Sequence, residues 1–250
     1  ALFIRSKQGV YLTNYGKELF PYIKNVQNSE EYLQQAVAQI GGMEKGVVRI
    51  GTFNSACVEW MPSLLRGFEK DYPNIRIDIY QVSYDDVYQW LKDGIVDLGF
   101  LSSTSAGDLS CTPIYQDKII CVAPQGFKTE NEGYITIEEL KKQRFVTQRE
   151  GCDADVNHVM NKYDLPGGGG SYIADDMSAV SLVMGGFGVC LMPELVIRNI
   201  PFPVDVIPLE VEEKRTIVLA YVRSDVLAPA VQKMQSYILE SFQKKAEEEQ

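Results

Sequence analysis

The sequence predicts an α/β protein with two lobes, preceded by one long helix. Strand-like and helix-like patterns alternate from residue 47 onward, which is typical of a mostly parallel sheet covered by helices. A second run of the same alternation begins near Pro124, and one apolar seam of helical spacing occupies residues 13–40. A chain of 250 residues is long enough to build two such lobes with their own cores.

The composition excludes several classes of protein. No run of about 18 uncharged apolar residues occurs, so neither a membrane-spanning helix nor a membrane partner is expected. The net charge of -10 argues against nucleic-acid binding by the bulk of the chain, because phosphate neutralisation needs clustered Lys and Arg. Five scattered cysteines and one histidine, His158, argue against a disulfide framework and a zinc site, and no cofactor is expected. The first residues lack a signal peptide, which favours a cytoplasmic protein.

Residues 3–12 have the pattern of a small β-hairpin. Two short apolar runs flank a polar turn that ends in Gly9, a residue that tolerates the positive φ of such turns. Arg5 and Lys7 place two positive charges on this hairpin. Thr13 is then a suitable N-cap for the long helix.

The long helix carries a narrow apolar seam. Its members recur in alternating steps of four and three, as in a coiled coil, with Glu30 as the interruption. The seam residues are Leu19, Ile23, Val26, Leu33, Val37 and Ile40. We expect residues 13–41 to form a linker helix that pairs with a second copy, because Gly41-Gly42 detaches it from the next unit. The alternative is a helix that lies on its own domain.

Lobe I is predicted over residues 47–123 and 223–250. Its strands alternate with helices that end at Pro73 and Gly94, and a last helix that starts at Pro229 is expected to return to this lobe. The strands are predicted at 47–51, 75–80 and 96–101, and the helices at 61–71, 84–94 and from 229 onward.

Lobe II is predicted over residues 124–222. Its helices are expected at 137–142, 155–163 and 177–184, and its strands at 145–147, 189–192 and 216–222. Two lobes joined by two crossings of the chain enclose a cleft, and such clefts bind small ligands.

Several motifs occur along the chain in an order that identifies a family. They are Leu2-Phe3-x-Arg5-x-x-x-Gly9-Val10-x-Leu12-Thr13-x-x-Gly16, Val48-Arg49-Ile50-Gly51-Thr52, Met61-Pro62, Gly94-x-x-Asp97-Leu98-Gly99 and Gly185-Gly186-x-Gly188-Val189-x-Leu191-Met192-Pro193. Together they resemble the LysR-type transcriptional regulators. The first motif resembles the wing of the winged helix-turn-helix where it passes into the linker helix, and the others resemble the effector-binding domain.

The resemblance implies a type 2 periplasmic-binding-protein-like fold for residues 47–250. It also implies a homodimer or homotetramer that binds promoter DNA. Residues 1–12 correspond to the wing alone, so we expect this chain to hold a truncated winged helix-turn-helix without its recognition helix. On that wing, Arg5 and Lys7 would contact DNA; the alternative is a solvated hairpin turn.

Candidate ligand contacts in lobe I follow two of its strands. Thr52, Asn54 and Ser55 link the first strand to its helix, and Ser102 and Ser103 follow the third. Ligands of open α/β sheets bind at the carboxyl ends of the strands, and a helix N-terminus there presents free N–H groups to a carboxylate. Plain helix capping would use the same residue types.

Candidate contacts in lobe II also follow its strands. They are Thr147, Arg149, Gly151, Asp176 and Met177. Arg149 is suited to a bidentate pair with a carboxylate effector, and equally to an ion pair with an acid of the chain such as Glu150.

The sequence therefore predicts a DNA-binding transcriptional regulator that senses a small effector, possibly a carboxylate, between two lobes. The alternative is a solute-binding protein of a transport system, which has the same two-lobed fold. An enzyme is disfavoured, because one histidine and no metal-ligand set leave few candidates for acid, base and nucleophile.

Overall fold

The computed structural model describes residues 1–148, 153–167, 173–198, 201–222 and 227–248. Its strands are β1 (Phe3–Ser6), β2 (Gly9–Leu12), β3 (Gly46–Thr52), β4 (Ile75–Gln81), β5 (Leu98–Ser102), β6 (Ser110–Pro124), β7 (Cys190–Pro193), β8 (Val204–Pro208) and β9 (Lys214–Tyr221). Its helices are α1 (Asn14–Ile40), α2 (Asn54–Asp71), α3 (Tyr84–Lys92), α4 (Ile137–Lys141), α5 (Ala154–Lys162), α6 (Asp176–Met184), α7 (Glu194–Ile197) and α8 (Pro229–Glu248). The predicted α/β class is confirmed. Across these residues, we find no helix that is long and apolar enough to cross a membrane.

The hairpin and the start of α1 form one connected unit. β1 and β2 pair antiparallel, with Phe3 opposite Leu12. Thr13 is the N-cap, as predicted: its Oγ1 accepts a hydrogen bond from the Gly16 amide at 2.9 Å. The Thr13 amide donates to the Leu2 carbonyl at 2.9 Å. A Cβ at Gly16 would overlap the Leu2 carbonyl oxygen, so this close approach requires glycine.

The α1 helix lies on lobe I through a face that differs from the apolar seam. Glu31 of α1 accepts two hydrogen bonds from Arg49 of β3, at 2.9 and 3.1 Å. Asn28 donates to the Gly94 carbonyl at 2.9 Å, and Gln35 and Ala38 are buried beside this contact. The six predicted seam residues are instead 45–90% exposed. The helix therefore contacts its own domain with polar groups and leaves the apolar seam uncovered.

The strands after the hairpin join in one sheet, in the order β4-β3-β5-β9-β6-β7, with β8 paired to β6. The strands β4, β3 and β5 are parallel, as the βαβ pattern predicts. The strand β9 runs antiparallel to both β5 and β6, and β7 and β8 run antiparallel to β6. The expectation of a mostly parallel sheet is wrong beyond β5, because the chain returns from lobe II in the opposite direction.

Two long strands carry the chain between the lobes. Residues 110–118 of β6 pair with β9, whereas residues 119–124 of the same strand pair with β7 and β8. Residues 217–220 of β9 are buried in the core of lobe I. The return to lobe I therefore occurs near residue 214 and not at 223 as the predicted lobe boundary had it. The predicted strand at 216–222 was assigned to lobe II because its apolar pattern does not show which strands it pairs with.

Each lobe has its own hydrophobic core. The core of lobe I is built from β3, β5, β9 and α2, with Phe68 and Phe100 fully buried. The last helix, α8, adds Met234 and Ile238 to this core. Each such side chain contributes about 1.5–3 kcal/mol by leaving water. In lobe II, apolar residues cover both faces of the β6–β7 pair.

Candidate functional site

A cavity of about 490 Å³ opens between the two lobes. It lies at the carboxyl ends of β3 and β4, where α2 and α3 begin, and it faces the N-termini of α5 and α6 in lobe II. Its walls consist of Phe53, Asn54, Ser55, Gln81, Val82, Ser83, Tyr84 and Arg215 from lobe I, and Gln148, Asp153, Ala174, Asp175, Asp176, Met177 and Val196 from lobe II. The predicted interlobe cleft is therefore present, and it has the size of a small-molecule site.

The lobe I wall presents the N-terminus of α2. Phe53 is the N-cap and provides no side-chain acceptor, so the first backbone N–H groups of α2 are not capped by a side chain. A helix start of this kind carries a partial positive charge and free donors. Ser55 is buried at the cavity edge, and the exposed Asn54 reaches across to lobe II. This wall can donate hydrogen bonds to an acceptor group.

The floor of the cavity is a buried arginine. Arg215 of β9 donates from Nε and Nη2 to the Asp117 carboxylate at 2.9 and 2.7 Å. Its guanidinium also donates to the Tyr84 hydroxyl at 2.7 Å and to Ser55 Oγ at 3.0 Å. Asp117 in turn accepts from the Leu195 amide at the start of α7. One cation thus connects the crossing strands with both lobes.

The electrostatics of the floor keep this cation charged. Burial opposes the charge, but the neighbouring Tyr84, Asp153 and Asp117 together raise the pKa of Arg215. Burial raises the pKa of the Tyr84 phenol, so its hydroxyl stays neutral and can accept from Arg215. The Arg215 guanidinium also lies 5.0 Å from the centre of the Phe53 ring. These contacts fix the side chains at the bottom of the cleft.

The lobe II wall is acidic. Asp153 caps α5 with its Oδ1, and its Oδ2 lies 3.6 Å from Arg215 Nη1. Burial raises the pKa of Asp153 to about 6, although Arg215 opposes this shift. Asp176, the first residue of α6, accepts from Gln148 at 2.7 Å and from Asn54 of lobe I at 3.2 Å. The Asn54–Asp176 hydrogen bond joins the two lobes across the cleft.

The predicted contacts divide into two groups in the structure. Asn54, Ser55, Asp176 and Met177 line the cavity. Thr52 does not: it is fully buried, and its hydroxyl donates to the Phe53 carbonyl, so it supports the start of α2 from behind.

Three other predicted contacts also lie away from this cavity. Ser102 is buried and shares a hydrogen bond with Thr104, and Ser103 is exposed on the turn after β5. Thr147 lines a much smaller neighbouring cavity inside lobe II. Arg149 and Gly151 lie outside the described residues, as does Cys152. The ligand-contact role of each predicted residue stays a prediction.

Arg215, Asp117 and Tyr84 were not predicted as site residues from the sequence. A charged residue next to Lys214 at the start of a strand gives no sign of burial, and its partner Asp117 is 98 positions away. Asp153 was likewise missed, although an Asp before a helix is an ordinary N-cap signal.

The hairpin and α1 carry the remaining predicted sites. Arg5 and Lys7 are both exposed, Arg5 on β1 and Lys7 in the turn. Nothing in the described hairpin covers either cation, so both are available to a partner surface.

Comparison with known proteins adds independent findings. Residues 41–243 match the LysR substrate binding domain. Over 212 residues the chain is 23% identical to the uncharacterized HTH-type transcriptional regulator YvbU of Bacillus subtilis, covering 84% of this chain and 72% of YvbU. It is 24% identical over 252 residues to the transcriptional dual regulator GltC of Bacillus subtilis, covering 97% of this chain and 83% of GltC. The fold is similar to the effector binding domain of QuiR in complex with shikimate, with a TM-score of 0.71, 18% identity and coverage of 80% and 99%.

Proposed function

Because this chain belongs to the LysR family of transcriptional regulators, we propose that it binds a small-molecule effector in the cavity between its lobes. Effector binding then changes the angle between the lobes and so the arrangement of a promoter-bound oligomer. The family assignment favours this regulator over the solute-binding protein of a transport system. Promoter binding also implies a cytoplasmic site of action.

The observation that carries the proposal is the cavity whose polar groups come from both lobes. Asn54 and Asp176 are hydrogen-bonded across the cleft, and Arg215 and Asp153 approach each other at its floor. A ligand that replaces or bridges these contacts interacts differently with open and closed lobes. Only such a difference in affinity can shift the equilibrium between two conformations. The crossing strands β6 and β9 serve as the hinge.

The exposed seam of α1 is the proposed surface for pairing with a second copy. Its six apolar side chains form one exposed stripe along the helix, which is a larger apolar surface than a monomeric protein normally leaves in contact with water. Pairing through this seam gives a homodimer, and a further contact between lobes would give a homotetramer. The cations Arg5 and Lys7 would then contact promoter DNA from the hairpin at the far end of α1.

A ligand screen by thermal unfolding tests the effector site. Small carboxylates, hydroxy acids and amines are added to the wild type, to Asn54→Leu and to Lys141→Ala, an exposed control in lobe II. A true cleft ligand at about 100 times its Kd stabilises the wild type and Lys141→Ala by about 2.7 kcal/mol. The Asn54→Leu variant should lose most of this stabilisation. Equal stabilisation of all three proteins would place the ligand elsewhere and contradict the proposal.

A further inference from the structure

A hydrogen bond joins the two lobes outside the interlobe cavity. Thr104, on the turn after β5 in lobe I, donates from Oγ1 to Oδ1 of Asp155 in α5 of lobe II, at 3.0 Å. Neither residue is among the described residues that line the cavity. A ligand in the cavity can therefore replace the Asn54–Asp176 hydrogen bond, but it is not positioned to replace this one.

The lobe I side of this contact is held by a second hydroxyl group. Ser102, the last residue of β5, is fully buried, and its Oγ lies 3.0 Å from Thr104 Oγ1. Thr104 uses its one hydroxyl proton for Asp155, which as a carboxylate can only accept, so Ser102 is the donor to Thr104. The strand β5 lies between β3 and β9 in the sheet. The contact is thus connected to the core of lobe I and not to the surface turn alone.

The lobe II side of the contact is a buried carboxylate that is only half satisfied. Asp155 is 6% exposed, and within the described structure its Oδ2 has no hydrogen-bond partner. A hydrogen bond to a charged acceptor stabilises more than one between neutral groups, but a buried polar atom without a partner is costly. Two effects therefore oppose each other at this contact. The Thr104 hydrogen bond favours closed lobes, and the missing solvation of Asp155 disfavours them.

Part of the cover over Asp155 comes from lobe I. Burial is the main cause of the raised pKa of the Tyr84 phenol, and the charge of Asp155 adds to it, so these two side chains lie close together. When the lobes separate, Tyr84 and Thr104 move away and water can solvate the carboxylate. The start of α5 favours the charge of Asp155 as well, but it does so equally in open and closed lobes.

We propose that the Thr104–Asp155 hydrogen bond holds the lobes closed in the absence of effector, and that the buried charge of Asp155 limits how strongly it does so. This inference rests on the proposed function, because it concerns the equilibrium between lobe arrangements on which the effector acts. An effector that prefers open lobes must overcome this contact, and one that prefers closed lobes adds to it. The contact therefore sets how much effector is needed for a response.

Distances between the lobes measure this equilibrium without any ligand. Spin-labelled non-canonical amino acids replace Asp85 of lobe I and Asn161 of lobe II, which are exposed and lie outside the cavity, so the native cysteines stay unlabelled. Labelled chains are diluted with unlabelled ones, so that distances within one chain dominate. Pulsed electron paramagnetic resonance of the wild type should give one narrow distance distribution. A broad distribution in the wild type would contradict a closed resting state.

Substitutions of Thr104 test the hydrogen bond. Thr104→Val removes the hydroxyl and keeps the shape, and it should lower the ratio of closed to open lobes about tenfold. This is near the lower end for a hydrogen bond to a charged group, because Thr104 itself is exposed. Thr104→Ser keeps the hydroxyl and should resemble the wild type. Ser241→Ala removes a hydroxyl hydrogen bond inside α8 and should change nothing. An unchanged distribution in Thr104→Val would overturn the inference.

Asp155→Asn tests the role of the charge. The amide oxygen can still accept from Thr104, and the NH2 group takes the place of Oδ2, where no described donor opposes it. The lobes should therefore be at least as closed as in the wild type, the reverse of the effect of Thr104→Val. If Asp155→Asn opens the lobes as Thr104→Val does, the charge does not oppose closure. All of these distances are measured without effector, so a negative result here leaves the proposed effector cavity standing, and a negative ligand screen leaves these distances valid.

Discussion

Replacing Asp117 by Asn is expected to destabilise the protein more than most single substitutions. The Asp117 and Arg215 side chains are 0% and 2% exposed, so neither can recover its lost partner from water. Asp117 Oδ1 accepts from the Leu195 amide and Oδ2 accepts from Arg215, so donors approach both of its oxygens. An Asn side chain has one acceptor oxygen, so its NH2 group must face a donor in either orientation.

The size of the effect follows from this geometry. Removing one partner of a buried ion pair typically costs about 3–5 kcal/mol, and Asp153, at 3.6 Å from Arg215, would compensate only part of the remaining charge. We therefore expect Asp117→Asn to lower the midpoint of urea unfolding by about 1–2 M. The fluorescence of the buried Trp60 in the lobe I core reports the transition.

A double variant supplies the control. Asp117→Leu combined with Arg215→Met replaces the pair by apolar groups, which is often close to neutral in buried sites. We expect it to be more stable than Asp117→Asn alone. A loss below about 1 kcal/mol for the single variant would refute the view that this pair anchors the junction of the lobes.

Three further predictions concern α1 and its contact with lobe I. Val26→Lys, on the seam, should shift the protein toward monomer in sedimentation experiments. Gln34→Lys, which lies off the seam, is the control and should leave the assembly unchanged. If Val26→Lys also leaves the assembly unchanged, pairing through the seam is contradicted. Glu31→Gln should weaken the contact with Arg49 by about 1–2 kcal/mol and so speed hydrogen exchange of the backbone amides in α1. An unchanged exchange rate would contradict the view that this contact holds α1 on lobe I. Asp97 Oδ2 accepts from the amide of Arg49, the residue that binds Glu31 of α1, and burial raises the pKa of Asp97 to about 6. Between about pH 4 and 6 the folded chain therefore holds a proton there that the unfolded chain has lost. This contribution to stability disappears as the pH rises through that window. The Asn side chain cannot ionise, so the free energy of unfolding of Asp97→Asn should rise relative to that of the wild type by up to about 3 kcal/mol between pH 4 and 7. If the two proteins show the same dependence of unfolding free energy on pH, the raised pKa of Asp97 is contradicted.

Local pattern was enough to predict much of this fold. The α1 helix, its Thr13 cap and the alternating elements of lobe I follow from apolar spacing and from Gly and Pro positions. The length of β6 could not be predicted in this way. Its first half alternates between exposed and half-buried residues and contains Pro113, whereas its second half is buried on both faces. The two halves therefore look like separate elements, although one strand carries both.

The candidate site was predictable only where it follows strand ends. Asn54 and Ser55 follow the end of β3, Asp176 and Met177 begin α6, and all four line the cavity. The central cation could not be found in this way, because Arg215 is held by residues from distant parts of the chain. Tyr84 and Ser55 are 131 and 160 positions from it in sequence. Contacts of this kind arise from the crossing of the two strands, which single-sequence periodicity does not reveal.

The rigid joint between the hairpin and α1 makes the first forty residues a lever. Thr13 and Gly16 fasten the hairpin to a helix of 27 residues, which is about 40 Å long. Lobe I holds this helix from Asn28 to Ala38, so about 21 Å of it projects beyond the contact, and a tilt of about 10° there moves the hairpin by about 3.5 Å, close to the rise of one base pair. If the hairpin contacts promoter DNA as proposed, small rotations within the protein would displace that contact by about one base-pair step.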